Sequence, residues 1–210
     1  MGLGLGACTA GDPHSALAGR SALLDGGNAV DAAVAAGLMA AFTLPTLTGL
    51  GGAGLMTIRM GDEVVVCDFF ANVPGRGTDG TRPAPEEVKV PFENVIETFL
   101  IGPSTVAVPG VVAGLWAVHR RYGKLPLKDL IAIIAEAARQ GVRVQSGQFR
   151  GFALLQTILR RTPEAWELCG DDNGLFLLGH RFANGRLADT LELLRDEGPR
   201  AFYAGAIADD

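Results

Sequence analysis

Four groups of residues in this 210-residue sequence have types and spacings that could do chemistry. Cys8-Thr9 is the first, because a cysteine or threonine bared at a new N-terminus can attack a carbonyl with its own α-amine as the base. Gly49, Gly51 and Gly54 satisfy G-x-G-x-x-G, a pattern that cradles a pyrophosphate only when a strand precedes it and a helix follows. Here the order is reversed, with a helical pattern before and a strand pattern after, so a close-packing glycine turn is the better reading. His14, His119 and His180 stand far apart with no H-x-x-x-H spacing, and satisfied or solvent-facing helix histidines account for them without a metal or a triad. Asp171-Asp172-Asn173-Gly174 has the polar run of a calcium loop, yet no glutamate closes it at the required distance, and a turn explains it.

The elements that must position such groups are organised around Asp25 to Met56. Asn28 is a good N-cap and Asp31, three residues on, can return towards the freed amides, so a helix is expected to start there. Its side chains are small or apolar on nearly every face, which predicts a buried helix. Pro45 stops it, and four glycines in Gly49 to Gly54 then let another segment come close. Upstream, Gly2 to Thr9 reads as a short strand, and Asp12-Pro13 opens a helix to Leu24. Downstream, Leu55 to Arg59 and Glu63 to Asp68 form a hairpin around Met60-Gly61-Asp62. Asn72 to Glu93 reads as a long surface loop and Ser104 to Val108 as a strand. Further helices are expected over Val111 to Arg121, after Pro126 to Gly141, over Gln148 to Arg161 and over Ala183 to Asp196.

Composition excludes several classes. With 48% hydrophobic residues the chain can bury a sizeable core. A net charge of −5 without a basic cluster argues against nucleic-acid or anionic-membrane partners. Three widely spaced cysteines, Cys8, Cys67 and Cys169, offer neither a disulfide framework nor zinc spacing. No signal-peptide pattern is visible, and the apolar helix after Asn28 is better read as core than as a membrane span. The expected protein is soluble, cytoplasmic or else periplasmic or secreted after signal removal, with no metal.

Three blocks carry a resemblance. Gly26 to Met56 contains GGNAVDAAVAA followed by a proline and GLGGAGLM; Val106 to Leu115 reads VAVPGVVAGL, with YGKLP at Tyr122 to Pro126; Gly198 to Ala208 reads GPRAFYAGAIA. Together they resemble the large subunit of the gamma-glutamyltranspeptidase family of N-terminal nucleophile hydrolases. The resemblance implies an α+β fold, the four-layer αββα sandwich, of which residues 1–210 would supply the N-terminal part as a single, incomplete unit. It also implies acyl transfer: a threonine freed by self-cleavage attacks a gamma-glutamyl or related amide and passes the acyl group to water or an amine, with no cofactor. The nucleophile and the oxyanion-stabilising glycines belong to the family's small subunit, so no catalytic residue is expected here, and Cys8 falls in a first strand. The partners implied are the small-molecule acyl substrate and that downstream subunit. The reading from another class is a non-catalytic scaffold or binding protein that keeps the fold.

What the family's large subunit contributes is an arginine that grips the substrate α-carboxylate, in a segment like D-F-R-E-x-A-P. The matching segment is Asp68-Phe69-Phe70-Ala71-Asn72-Val73-Pro74. Phe70 stands in the arginine position, which removes a bidentate cation from the site. Phe70, Asn72 and Arg76 are the residues expected to border the acyl pocket. Four readings of Phe70 stay open: an apolar acyl pocket, the favoured one; Arg76 supplying the charge; lost activity; or a ring packed in the core beside Phe69.

Overall fold

A computed structural model describes residues 6–75 and 79–209. Two capped helices begin it. The Asp12 carboxylate accepts the amides of His14 and Ser15 at 2.9 and 3.1 Å, and Pro13 occupies the first position of α1 (Pro13–Leu24), where a missing N–H costs nothing. At the start of α2 (Ala29–Thr43) the caps are reciprocal. Asn28 Oδ1 accepts from Val30 and Asp31, and Asp31 Oδ2 accepts the Asn28 amide at 2.7 Å. Val34, Leu38 and Phe42 of α2 are fully buried, and α1, α3 (Val111–Tyr122) and α4 (Leu127–Gln140) pack around it, as a helix apolar on every side requires.

The chain next forms the hairpin of β1 (Gly54–Met60) and β2 (Glu63–Phe69), antiparallel from Gly54↔Phe69 to Met60↔Glu63. Its turn uses Gly61 at a φ of 62°, a conformation that a residue without Cβ adopts freely. A second hairpin follows, its first strand inside the stretch expected to be loop: β3 (Glu86–Phe92) pairs with β4 (Val95–Ile101). Only Val88 and Val90 of this ribbon are buried, against α5 (Ser146–Leu159), and Pro91 is tolerated because a two-stranded ribbon leaves its outer side unpaired. The turn places Glu93 at a φ of 49°.

The expected strand over Ser104 to Val108 is instead a 3-10 turn at Pro103–Thr105 and a single bridge from Val108 to Asn72. Likewise, residues 6–10 form no strand, and Gly2 to Leu5 lie outside the described residues. Helices α3 (Val111–Tyr122) and α4 (Leu127–Gln140) come next, the latter closed by Gly141 at a φ of 80°. β5 (Val142–Arg143), α5 (Ser146–Leu159), the short α6 (Pro163–Trp166), β6 (Gly170–Asp171), β7 (Gly174–Leu175), β8 (Arg181–Phe182) and α7 (Gly185–Glu197) follow. α8 (Arg200–Ala204) and α9 (Ala206–Asp209) complete the order. β5 pairs with β8 and β6 with β7. Phe182 lies in the main core, stacked on Phe42 at 5.2 Å and edge-on to Phe152 at 6.0 Å. No described helix is long and apolar enough to cross a membrane.

Candidate functional site

The last residues of β2 decide which of two neighbouring rings faces the core. Asp68 Oδ1 accepts the Phe70 amide at 2.9 Å, an Asx turn that ends the strand. Phe69 points inward onto three glycines, one at the start of β1 and two at the start of α3. A Cβ added at Gly114 would lie 2.1 Å from Phe69 Cγ, one at Gly54 2.7 Å from its Cε2, and one at Gly110 1.9 Å from its carbonyl oxygen. Those three positions admit only glycine because the ring and its carbonyl occupy the space of a side chain. Strand alternation then turns Phe70 the other way, and it is 61% exposed. The reading of Phe70 as a core ring beside Phe69 is therefore wrong: Phe69 alone fills that seat.

Asn72 is held beside it by the backbone. Its amide donates to the Val108 carbonyl at 3.0 Å and its carbonyl accepts the Val108 amide at 2.8 Å, which leaves the side chain exposed. Arg76 lies outside the described residues. Phe70 and Asn72 thus share one exposed strip.

Beneath that strip the glycine loop and the Pro109-Gly110 turn meet. The Gly52 carbonyl accepts the amides of Gly110 and Val111 at 3.0 and 3.2 Å. This answers the G-x-G-x-x-G question, since the loop binds the start of α3 by backbone contacts and no helix follows it. The start of α3 has no side-chain cap of its own. Tyr203, from α8, supplies one: its hydroxyl accepts the Ala113 amide at 3.2 Å and donates to the Pro109 carbonyl at 2.9 Å. The motif around Tyr203 was visible in the sequence, but its contact, 94 residues away from Pro109, was not.

The far end of α3 is fixed by Asp31, which is 0% exposed. Its carboxylate accepts the amides of Lys124 at 3.0 Å and Leu125 at 3.1 Å in addition to that of Asn28, and lies 3.1 Å from His119 Nε2. Burial alone would raise its pKa, but these three backbone N–H groups and the nearby His119 outweigh it and hold the carboxyl below its usual value. Gly123 makes the approach possible, since a Cβ there would sit 2.6 Å from His119 Nε2. Asn28 Nδ2 adds a bond to the Tyr122 carbonyl at 2.7 Å. His119 is accordingly a satisfied helix histidine, and His180 stacks on Phe176 at 4.1 Å. The Asp171 to Gly174 run forms the turn between β6 and β7, with Asp171 Oδ1 accepting the Asn173 amide.

Among the described residues no hydroxyl or thiol is hydrogen-bonded to a histidine, and no three His, Cys, Asp or Glu side chains cluster as a metal site would require. The Cys8 sulfur packs where a Cβ on Gly19 would be. Cys169 is buried, and burial, opposed only by Arg160, pushes its thiol up to about 11.

Residues 15–210 match the family model described as Gamma-glutamyltranspeptidase. Over 204 residues the chain is 34% identical to the glutathione hydrolase proenzyme of Pseudomonas aeruginosa, covering 97% of this chain and 35% of that protein. Over 197 residues it is 30% identical to the acylase ACY 1 proenzyme of Pseudomonas sp. strain V22, with coverages of 93% and 35%. Among solved structures, the gamma-glutamyltranspeptidase from Pseudomonas nitroreducens complexed with L-DON superposes with a TM-score of 0.80 at 28% identity, over 99% of this chain and 59% of that one. The chain spans about a third of the length of these curated relatives.

Proposed function

Because the chain belongs to the gamma-glutamyltranspeptidase family, we propose that it builds one wall of an acyl-transfer site whose reactive threonine lies outside these 210 residues. In this reading the threonine hydroxyl, deprotonated by its own α-amine, attacks the amide carbonyl of a gamma-glutamyl or related donor. The tetrahedral oxyanion is held by backbone amides, the amine leaves with the proton, and water or a second amine takes the acyl group from the ester. Residues 1–210 would act as a single folding unit joined to a downstream small subunit released by self-cleavage. No metal or organic cofactor enters these steps.

The observation that carries the reading is the exposed ring of Phe70 at the end of β2, beside Asn72 and anchored from behind by the seated Phe69. A ring has no charge with which to grip an α-carboxylate, and it offers apolar area instead. The pocket wall is therefore suited to an acyl group whose far end is apolar, and Asn72 supplies a donor and an acceptor at its edge. Similarity to an acylase proenzyme supports acyl transfer as the reaction.

The test uses the full-length protein. Two bands on a denaturing gel after purification, and faster cleavage of an apolar acyl-p-nitroanilide than of gamma-glutamyl-p-nitroanilide, are the expected results. Phe70→Arg should shift the ratio of kcat/KM values towards the glutamyl donor by roughly tenfold or more, the scale of one charge-assisted hydrogen bond. One uncleaved band without acyl transfer would identify a non-catalytic scaffold, and an unchanged ratio in Phe70→Arg would remove Phe70 from the pocket.

A further inference from the structure

The first turns of α1 and α5 border a cavity of about 220 Å³, closed on a third side by Thr43 and Leu44 at the end of α2. Its wall holds an imbalance of hydrogen-bonding groups. Gln148 is 3% exposed. Its Oε1 accepts the Gln145 amide at 3.4 Å, which fixes the orientation of the carboxamide, because the opposite orientation would set two donors against each other. Nε2, with two N–H groups, is left buried without a partner. His14 Nε2, on a residue of the same wall, is also buried and unpartnered. Buried polar atoms are paired as a rule, and two orphans beside one cavity require an explanation.

The one carboxylate of the wall, in contrast, is saturated. Asp12 Oδ1 takes the amides of His14 and Ser15, and Oδ2 takes the hydroxyls of Ser15 and Thr43. A carboxylate has about four lone-pair sites, so Asp12 has none to offer a ligand. Its negative charge is opposed by the starts of two helices, each carrying about half a positive charge. Around the same turn, Arg143 lines a second cleft that shares Gln145 and Ser146. Arg143 is the register partner of Arg181, and the two bond to the carbonyls of Gly179 and Gln140.

The unused N–H groups of Gln148 beside a saturated Asp12, with His14 Nε2 able to donate in one tautomer, favour a guest that brings oxygen lone pairs. We propose that the cavity between the first turns of α1 and α5 binds a small oxyanion, either a carboxylate or a free phosphate, with Gln148 Nε2 and His14 Nε2 as donors. This site is built without Phe70, Asn72 or the glycine loop and does not depend on the acyl-transfer reading.

Nuclear magnetic resonance on the full ¹⁵N-labelled chain tests it, with sodium acetate and sodium phosphate as probes and sodium chloride at equal ionic strength as control. The expected result is a saturable shift of the Gln148 side-chain NH₂ pair, assigned by its disappearance in Gln148→Met, with one probe or both and not with chloride. Which probe saturates separates a carboxylate from a phosphate. His14→Phe should weaken binding roughly tenfold while the circular dichroism spectrum is retained; should Gln148→Met fail to fold, this variant carries the test through backbone shifts of Ser146 and Gly147. No saturation with either probe, an equal response to chloride, or undiminished binding in His14→Phe would overturn the proposal and leave the cavity to water.

Discussion

Asp31→Ala should be among the most damaging single substitutions in this chain, and the cost follows from a count of donors. The carboxylate takes the amides of Asn28, Lys124 and Leu125 and sits against His119 Nε2, all within 3.1 Å, at a position with no solvent exposure. Each buried donor left unpaired costs about 1–3 kcal/mol, and the more open ones recover part of that from water, so a total of about 4 kcal/mol is expected. Asp31→Asn keeps one accepting oxygen but turns an NH₂ towards a donor, which should cost about 2 kcal/mol. Urea unfolding of the full chain near neutral pH, with unchanged m-values, measures both. Acid gives a second arm. Folding holds this carboxyl below its ordinary value near 3.8, so the unfolded state binds the proton more readily and stability rises with pH. The contribution is complete above the unfolded value and fades as pH falls through the lower folded one. The gap between wild type and Asp31→Asn should therefore narrow in acid. A loss below about 1 kcal/mol in Asp31→Ala, or a gap that widens in acid, would refute the view that this carboxylate ties the start of α2 to the α3–α4 connection.

Other outcomes follow from single contacts. Gly110→Ala and Gly114→Ala drive a methyl into Phe69 and should each cost more than about 2 kcal/mol, whereas Gly51→Ala, with open space at its Cβ, should stay within about 0.5 kcal/mol in the same unfolding assay. Gly37→Ala, whose nearest neighbour would be Leu115 at 3.9 Å, should stabilise α2 by about 0.5–1 kcal/mol. Glu93→Gly should gain about 1 kcal/mol by relieving a side chain from a left-handed turn, read as a higher melting temperature. Cys169, with its thiol raised to about 11, should resist a thiol reagent near pH 8 in the folded protein and react fully in denaturant, as counted by mass spectrometry.

Much of this architecture could be read locally, and the readable parts share a cause. The starts of α1 and α2 are written in the residues that form them, since Asp12, Pro13, Asn28 and Asp31 act within one turn. The β1–β2 hairpin and the end of α4 at Gly141 are local in the same sense. The β3–β4 ribbon was not legible, because prolines, charges and only two buried valines hide a period of two. At the candidate site, the segment from Asp68 to Asn72 could be found by its likeness to a family motif, but which phenylalanine faces outward depends on Gly54 and on the Gly110 to Gly114 turn, which the sequence separates widely. The Tyr203 cap and the Asp31–His119 contact were illegible for the same reason: their partners are about 90 residues away.

The division of labour between adjacent aromatic residues has an evolutionary corollary. With the inner ring locked by a glycine socket, the outer position is free to mutate without loosening the scaffold, and under the proposed reading the acyl preference can drift one side chain at a time. A β2 longer or shorter by one residue would exchange the two rings and lose both the seated ring and the exposed one, so substitution, not insertion or deletion, is the change this strand end tolerates.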